Sequence, residues 1–315
     1  MNDRRPGRGL IIGLIVAVVL AIMPLFTMGY YVNLLTVIFY WIGLAGCWNL
    51  MCGYTGYIDF GSAVYTGVGS YVSGILLVRL GFPLPVCTLA AGLAALLIAV
   101  IVGWPTLRLR GAYFAIATFA LAEALKQVAE EWTSMTEGGI GLTVTYRLSD
   151  IDYYWVYLGL AGLVVGLTWW IEHHKHGYGL KAINEDEEAA AQVGVNTHMV
   201  KLKTYALTAF FIGILGSLEA NRLGYFKPED VFDIHITIKM VIMSLFGGMG
   251  TVLSPVIGAS ILQIIEDVLG AEFINYYLVI IGVIIVVVIM FLPRGLVGAL
   301  SKIFARSSRP KQGVI

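Results

Sequence analysis

Long apolar runs separated by short polar segments dominate this chain. A helix needs roughly 20 apolar residues to cross a bilayer, and it satisfies its own backbone hydrogen bonds there. The pattern predicts an all-α, polytopic transmembrane bundle of eight to ten spans. The ten runs are 9–28, 31–52, 62–79, 84–103, 111–129, 153–171, 203–223, 236–250, 254–270 and 276–293. The third, eighth and ninth are short or glycine-rich, and we expect some of these to be broken or re-entrant.

Composition agrees with a membrane protein. The chain has 315 residues, of which 58% are hydrophobic and 13% charged, against roughly 25% charged in soluble domains. The net charge is zero, so membrane lipid is the expected partner and nucleic acid is not. We expect one domain over 1–315, with spans over 9–293 and a basic tail over 294–315 that lies against anionic lipid.

The distribution of lysine and arginine predicts the orientation. With the N-terminus inside, the inner segments hold Arg4, Arg5, Arg8, Arg108, Arg110, Lys175, Lys181, Lys201, Lys203, Arg294, Lys302, Arg306, Arg309 and Lys311. The outer segments hold only Arg79, Arg147, Arg222 and Lys227. This bias predicts cytoplasmic termini and a cytoplasmic segment 172–202. The first run has no small-residue cleavage site after it, so we expect an uncleaved anchor.

A polar, alanine-rich stretch at 179–194 interrupts the apolar pattern. A single helix there would place Leu180, Ile183 and Gly194 on one side and Lys181, Glu185 and Glu188 on another. Small residues allow a partner to approach closely, and the acidic run can pair with basic residues. The alternative is a solvated connector. The candidate docking residues are Gly179, Lys181, Ile183, Glu185, Glu188, Ala189, Ala190 and Gly194.

Glycines and one carboxylate mark a second candidate region around the second and third runs. Glycine permits a helix break that can line a cavity, although close helix packing is the alternative for any single glycine. Asp59 would meet a substrate ammonium or pair with a neighbouring helix. Glu123 and Lys126 are expected to neutralise each other, as are Glu219 and Arg222. The candidate translocation path comprises Tyr54, Gly56, Tyr57, Asp59, Gly61, Tyr113, Thr118 and Gly248.

The sequence offers little support for chemistry in this chain. It contains no phosphate-binding loop of the G-x-x-x-x-G-K-[ST] type, so we expect no nucleotide and no other cofactor to bind here. No catalytic constellation converges on a membrane face, and the chain is expected not to be an enzyme. The histidines at 173, 174 and 176 resemble an interfacial polar cap more than a metal site, and the three cysteines fit packing.

Several motifs together resemble one family. The segment from Gly179 to Leu202, the run 107–119 (LRLRGAYFAIATF), the late run 247–251 (GGMGT) and the run 53–61 (GYTGYIDFG) are similar to the LivM-type permeases of branched-chain amino acid ABC importers. The resemblance covers roughly 30–295. This chain departs from the family pattern at Asn184, where arginine is usual, and at Tyr57, Asp59, Ser62, Glu137 and Ser254.

The resemblance implies a subunit of a bacterial inner-membrane importer. A homologous second permease would complete the path, two ABC ATPase subunits would bind ATP and dock on 179–194, and a periplasmic binding protein would deliver the solute. Hydrophobic amino acids are the expected cargo, with urea or small amides left open. The alternative is an ion-coupled secondary transporter that uses Asp59, Glu123 and Glu219 as ion sites.

Overall fold

Six long helices form the bundle. The computed structural model describes residues 18–26 and 29–272, together with Gly282 and Gly295. The helices are α1 (Tyr30–Trp48, continued by a π-helix over Asn49–Gly53), α2 (Ala63–Leu80), α3 (Leu84–Thr106), α4 (Ala112–Glu131), α6 (Asp150–Glu172) and α9 (Thr197–Leu223). All six are long and apolar enough to cross a membrane. They confirm helices at the second to seventh predicted runs.

Further elements connect and extend these helices. They are α5 (Thr133–Thr136), β1 (Leu142–Thr143), α7 (Lys175–Glu185), α8 (Glu187–Gln192), β2 (Tyr225–Phe226), α10 (Pro228–Val231), α11 (Ile234–Gly247) and α12 (Ser254–Glu272), with 3₁₀ turns at Met23–Leu25 and Gly138–Ile140. The eighth and ninth runs are thus helices of 14 and 19 residues, and α11 is too short for a clean crossing. Apart from Gly282 and Gly295, the predicted tenth span and the tail lie outside the described residues, as does most of the first span.

Local sequence explains where the helices begin and end. Ser149 and Asp152 form a reciprocal capping box at the start of α6. Gly81 and Gly224 end α2 and α9 at φ values of 66° and 76°, a left-handed conformation that glycine adopts without a steric penalty. Within the described part of the chain, the only regular strands are β1 and β2, which pair antiparallel as Leu142 with Phe226 and Thr143 with Tyr225.

The core of the bundle is built from α1, α2 and α9. Of their most apolar windows, 78%, 61% and 61% is buried, against 33%, 22% and 33% for α3, α4 and α6. Small residues bring α9 against its neighbours: a Cβ at Gly216 would lie 2.4 Å from the carbonyl oxygen of Thr66 on α2. A Cβ at Gly213 would lie 2.6 Å from Cβ of Ala95 on α3. Glycine therefore fixes how closely these helices approach.

Candidate functional site

The segment between α6 and α9 forms two short helices. The single helix predicted over 179–194 is therefore wrong in detail, because Asp186 adopts an extended conformation (φ −162°, ψ 112°) between α7 and α8. Its carboxylate accepts hydrogen bonds from the backbone N–H groups of Glu188 at 2.9 Å and Ala189 at 3.1 Å. Asp186 is thus the N-cap of α8. At the other end Gly194 has a φ of 92°, which turns the chain towards α9.

The predicted docking residues divide into an inner and an outer set. Gly179, Ile183 and Ala190 are buried and hold the two helices against the bundle. The exposed set is Lys181, Glu185, Glu188, Ala189 and Gly194. Lys181 donates to Glu172 at the end of α6 at 2.8 Å. The exposed set thus combines two carboxylates and two small residues with Lys181.

A buried ion pair anchors α8 to the bundle. Lys201 Nζ lies 2.6 Å from Glu187 Oε1, and it also donates to Tyr57 Oη and to the carbonyl oxygen of Leu107, both at 3.0 Å. The Tyr57 hydroxyl donates to the second oxygen of Glu187. The Lys201 side chain is 2% exposed and that of Glu187 is 15% exposed. We call these four residues the Glu187 cluster; it joins α8, α9, the 54–62 loop and the end of α3.

The electrostatics of the Glu187 cluster keep its carboxylate charged. Burial by itself raises the pKa of Glu187, but hydrogen bonds from Lys201 and Tyr57 and the charge of Lys201 outweigh it, and the pKa lies below its ordinary value. Burial and the adjacent carboxylate raise the pKa of the Tyr57 phenol. Tyr57 therefore remains a neutral donor at physiological pH.

A second, exposed ion pair lies beside the first. Arg110 Nη1 is 2.5 Å from Glu188 Oε1, with side chains 61% and 70% exposed. The hydrogen bond and charge of Glu188 raise the pKa of Arg110. Because exposed pairs are worth little, this contact adds less to the anchoring of α8 than the Glu187 pair.

Asp59 stabilises the loop that leads into α2. Its Oδ1 accepts from the Gly61 backbone N–H at 2.8 Å and its Oδ2 from the Ser62 hydroxyl at 2.6 Å. Its backbone carbonyl accepts from Trp48 Nε1 at 2.9 Å. Burial raises the pKa of Asp59, against the effect of the Ser62 and Gly61 hydrogen bonds. Asp59 is 1% exposed, and hydrogen bonds from the Thr118 and Tyr205 side chains, on α4 and α9, also favour its charged form.

The other predicted path residues cluster at the same end of the bundle. Tyr54 is buried, Gly56 has a φ of 75° and sits against Asn184 of α7, and Gly248 lies in the turn between α11 and α12. Phe60 N–H donates to Thr118 Oγ1 on α4 at 3.2 Å, whereas Tyr113 is 75% exposed. Tyr54, Gly56 and Gly248 thus lie between helix ends and not at a break in the middle of a span, and Gly56 lies beside α7. Whether the set lines a path stays a prediction.

Several residues of the site are not predicted by the sequence pattern. Glu187 and Lys201 are 14 positions apart, and no periodicity within one helix relates them; a lysine at the beginning of an apolar run was the available signal. The large exposed apolar side chains of Tyr178 and Val193 were also missed; they are 64% and 80% exposed. Both lie outside the six candidate spans.

The two predicted intrahelical ion pairs have different outcomes. Glu219 and Arg222 do pair, at 2.7 Å, and Tyr157 donates to Glu219 at 2.9 Å. The pairing of Glu123 with Lys126 is wrong: Lys126 lies 4.0 Å from Glu130, one helical turn further on. Among the described residues, no group of three His, Cys, Asp or Glu side chains converges in a way that would hold a metal ion.

The fold and this site define a multi-pass helical membrane permease. The family model described as the permease component of branched-chain amino acid transport systems matches residues 30–289. The chain belongs to this family. The relatives named below are permease subunits of ABC importers.

Named relatives agree with this family assignment. The chain is 28% identical to the high-affinity branched-chain amino acid transport system permease protein LivM of Escherichia coli K12, over 83% of this chain and 68% of that protein. It is 24% identical to LivH of Salmonella typhimurium, over 80% and 89%. It is also 24% identical to the autoinducer 2 import system permease LsrC of Salmonella paratyphi B, over 67% and 63%. The solved structure of PsaBC from Streptococcus pneumoniae in complex with Fab aligns at a TM-score of 0.47 and 16% identity, over 90% of this chain and 98% of that chain.

Proposed function

We propose that this chain moves hydrophobic amino acids, the branched-chain ones first, into the cytoplasm as one of the two permease subunits of an ABC importer. The family description and the LivM relative support this substrate class. Two ATP-binding subunits supply the energy and a periplasmic binding protein delivers the solute. This chain binds no nucleotide itself. It lies in a bacterial inner membrane with both termini and the α7–α8 end in the cytoplasm, in accordance with its lysine and arginine distribution.

The surface of α7 and α8 is the proposed docking site for the ATP-binding subunits. Tyr178 and Val193 expose large apolar side chains outside the six candidate spans. Exposed apolar groups within a polar rim are typical of protein contacts. The exposed carboxylates of Glu185 and Glu188 provide that rim. This combination, on a segment anchored by a buried ion pair, is the observation that carries the proposal.

The Glu187 cluster gives a route from this surface into the bundle. A displacement of α8 acts on Lys201 at the start of α9 and on Tyr57 in the 54–62 loop. The loop in turn contacts α4 through the hydrogen bond from Phe60 to Thr118. The start of α9, the 54–62 loop and, through that loop, α4 are therefore tied to one short helix. Docking or closure of the motor subunits displaces these segments together.

A substitution pair tests the docking surface. Val193→Arg places charge and bulk on the proposed contact, and Ile140→Arg is the control, because Ile140 is 78% exposed on the far end of the bundle. We expect Val193→Arg to lower the amount of ATP-binding subunit that copurifies with the full-length permease at least tenfold, as for other contact residues worth more than about 1.4 kcal/mol. Normal copurification of both variants would refute the docking role.

Energy dependence separates this proposal from ion coupling. Uptake of labelled leucine into cells should stop when ATP is depleted and survive dissipation of the ion gradients, if ATP remains available. The converse result would favour a secondary transporter. Two of the carboxylates that ion coupling would require, Asp59 and Glu219, already have partners within this chain.

A further inference from the structure

Helix α4 has an unusually exposed face. Only 22% of its most apolar window is buried, the lowest value of the six candidate spans. Its buried residues Phe114, Thr118, Ala122 and Ala129 follow one side of the helix. At roughly 100° per residue, the opposite side carries exposed residues along its whole length. These are Tyr113, Ile116, Ala120, Glu123, Gln127 and Glu131.

A carboxylate lies in the middle of this exposed face. Glu123 is the twelfth of the 20 residues of α4, so it falls near the centre of the span. Lys126 pairs with Glu130, and Glu123 has no ion-pair partner among the described residues. Gln127, one turn further on, donates to Glu131 at 3.3 Å, which continues a polar line towards the predicted outer end. An ionisable group at this depth is costly in lipid and is found facing protein or water.

The other peripheral helices have faces suited to lipid. On α3 the exposed positions at helical spacing are Leu89, Leu93, Leu97 and Ile101, all apolar. The middle of α6 exposes only glycine and Leu163. The polar line on α4 is therefore a local property of that helix and not a general feature of the outer surface of the bundle.

We propose that the exposed face of α4 lines the water-filled solute path against the second permease subunit, and that Glu123 binds the ammonium group of the amino acid in transit. This inference rests on the proposed function for the existence of that path. The charge of the carboxylate complements an ammonium group. Ile116 and Tyr113 follow towards the predicted cytoplasmic end and offer apolar surface to an aliphatic side chain. The site thus fits a solute that carries an ammonium group and an apolar side chain.

Cysteine accessibility in the assembled importer tests whether the exposed face of α4 lines a water-filled path. The native cysteines Cys47, Cys52 and Cys87 are free but buried, which keeps background labelling low. Glu123→Cys and Gln127→Cys should react with a membrane-impermeant methanethiosulfonate reagent at least ten times faster than Leu97→Cys. Leu97 is the control because its side chain is 60% exposed on the apolar face of α3. Equally slow labelling of all three would show that lipid or tightly packed protein covers this face, and would overturn the inference.

Uptake of labelled leucine tests whether Glu123 binds the ammonium group of the solute. Glu123→Gln should lower the maximal rate at least tenfold in complexes of normal abundance, whereas Glu123→Asp should retain a substantial part of it. ATP hydrolysis stimulated by the binding protein is measured in parallel. Wild-type uptake by the Gln variant would overturn the role of Glu123 without affecting the proposed function. Conversely, ATP-independent uptake by the wild type would refute the proposed function, while the labelling result would still report a water-facing helix.

Discussion

Replacing Glu187 by glutamine tests how α8 is anchored to the bundle. The substitution preserves the size of the side chain and leaves one acceptor oxygen for Lys201, but it removes the negative charge. Lys201 is 2% exposed and would retain only neutral acceptors: the glutamine carbonyl, the Tyr57 hydroxyl and the Leu107 carbonyl. Breaking a buried pair by removing one partner costs about 3–5 kcal/mol. Because glutamine still accepts one hydrogen bond, we expect the lower end, about 3 kcal/mol.

The neighbouring Glu188 provides a matched control. Glu188→Gln makes the same chemical change on the same short helix and alters the net charge equally. Its partner Arg110 is exposed, as is Glu188 itself, so we expect little loss of stability. The contrast between the two variants therefore isolates burial from charge.

Thermal unfolding of the purified full-length chain in nanodiscs measures the difference. At roughly 2 °C per kcal/mol for a large domain, Glu187→Gln should lower Tm by about 6 °C and Glu188→Gln by less than about 2 °C. The double variant Glu187→Leu with Lys201→Met removes both charges and should recover most of the loss, since a buried pair is often replaceable by apolar residues. Equal shifts for the two single variants would refute the assignment of the buried pair as the anchor.

Three further predictions concern the same end of the molecule and its packing. The pKa of Glu187 is lowered below its ordinary value in the folded chain. The stabilisation from its ion pair with Lys201 is therefore complete above the pKa of Glu187 in the unfolded chain, and it is lost as the pH falls through the pKa in the folded chain. The Tm difference between wild type and Glu187→Gln should shrink in that acid range. Tyr57→Phe removes the hydroxyl shared by Glu187 and Lys201 and should cost about 1–2 kcal/mol, a Tm loss between those of the two glutamine variants. Gly258→Ala would place a Cβ 1.7 Å from the Met243 carbonyl oxygen and should cost about 3 kcal/mol, whereas Gly159→Ala on α6, with no atom within 4 Å, should be neutral in the same assay.

The long spans were predictable because their length and apolarity are local properties. The break at Asp186 was less so: an acidic run in an alanine-rich stretch is compatible with helix, and only the side-chain cap on Glu188 and Ala189 decides where α8 begins. The partner of Lys126 was ambiguous for a similar reason. It has a carboxylate at three positions before and four after, and the fold selects Glu130.

The candidate site depended on contacts between distant parts of the sequence. Tyr57 and Glu187 are 130 positions apart, and no pattern along the chain relates them. Asp59 is an ionisable residue among apolar runs, yet its carboxylate accepts hydrogen bonds from Gly61 and Ser62 within the same turn and from Thr118 and Tyr205 on neighbouring helices. The sequence alone does not distinguish a buried carboxylate that stabilises a turn from one that binds a solute. The three-dimensional arrangement is needed to distinguish the two.

Helix α9 runs without interruption for 27 residues and contains no proline, which makes it a stiff rod of about 40 Å. Lys201 occupies one extremity, and Glu219 with Arg222 occupies the other. We expect such a helix to carry a displacement of α8 to its other end as a change of angle. The two ends of α9 would then be geometrically linked within a single subunit, before any partner chain is considered.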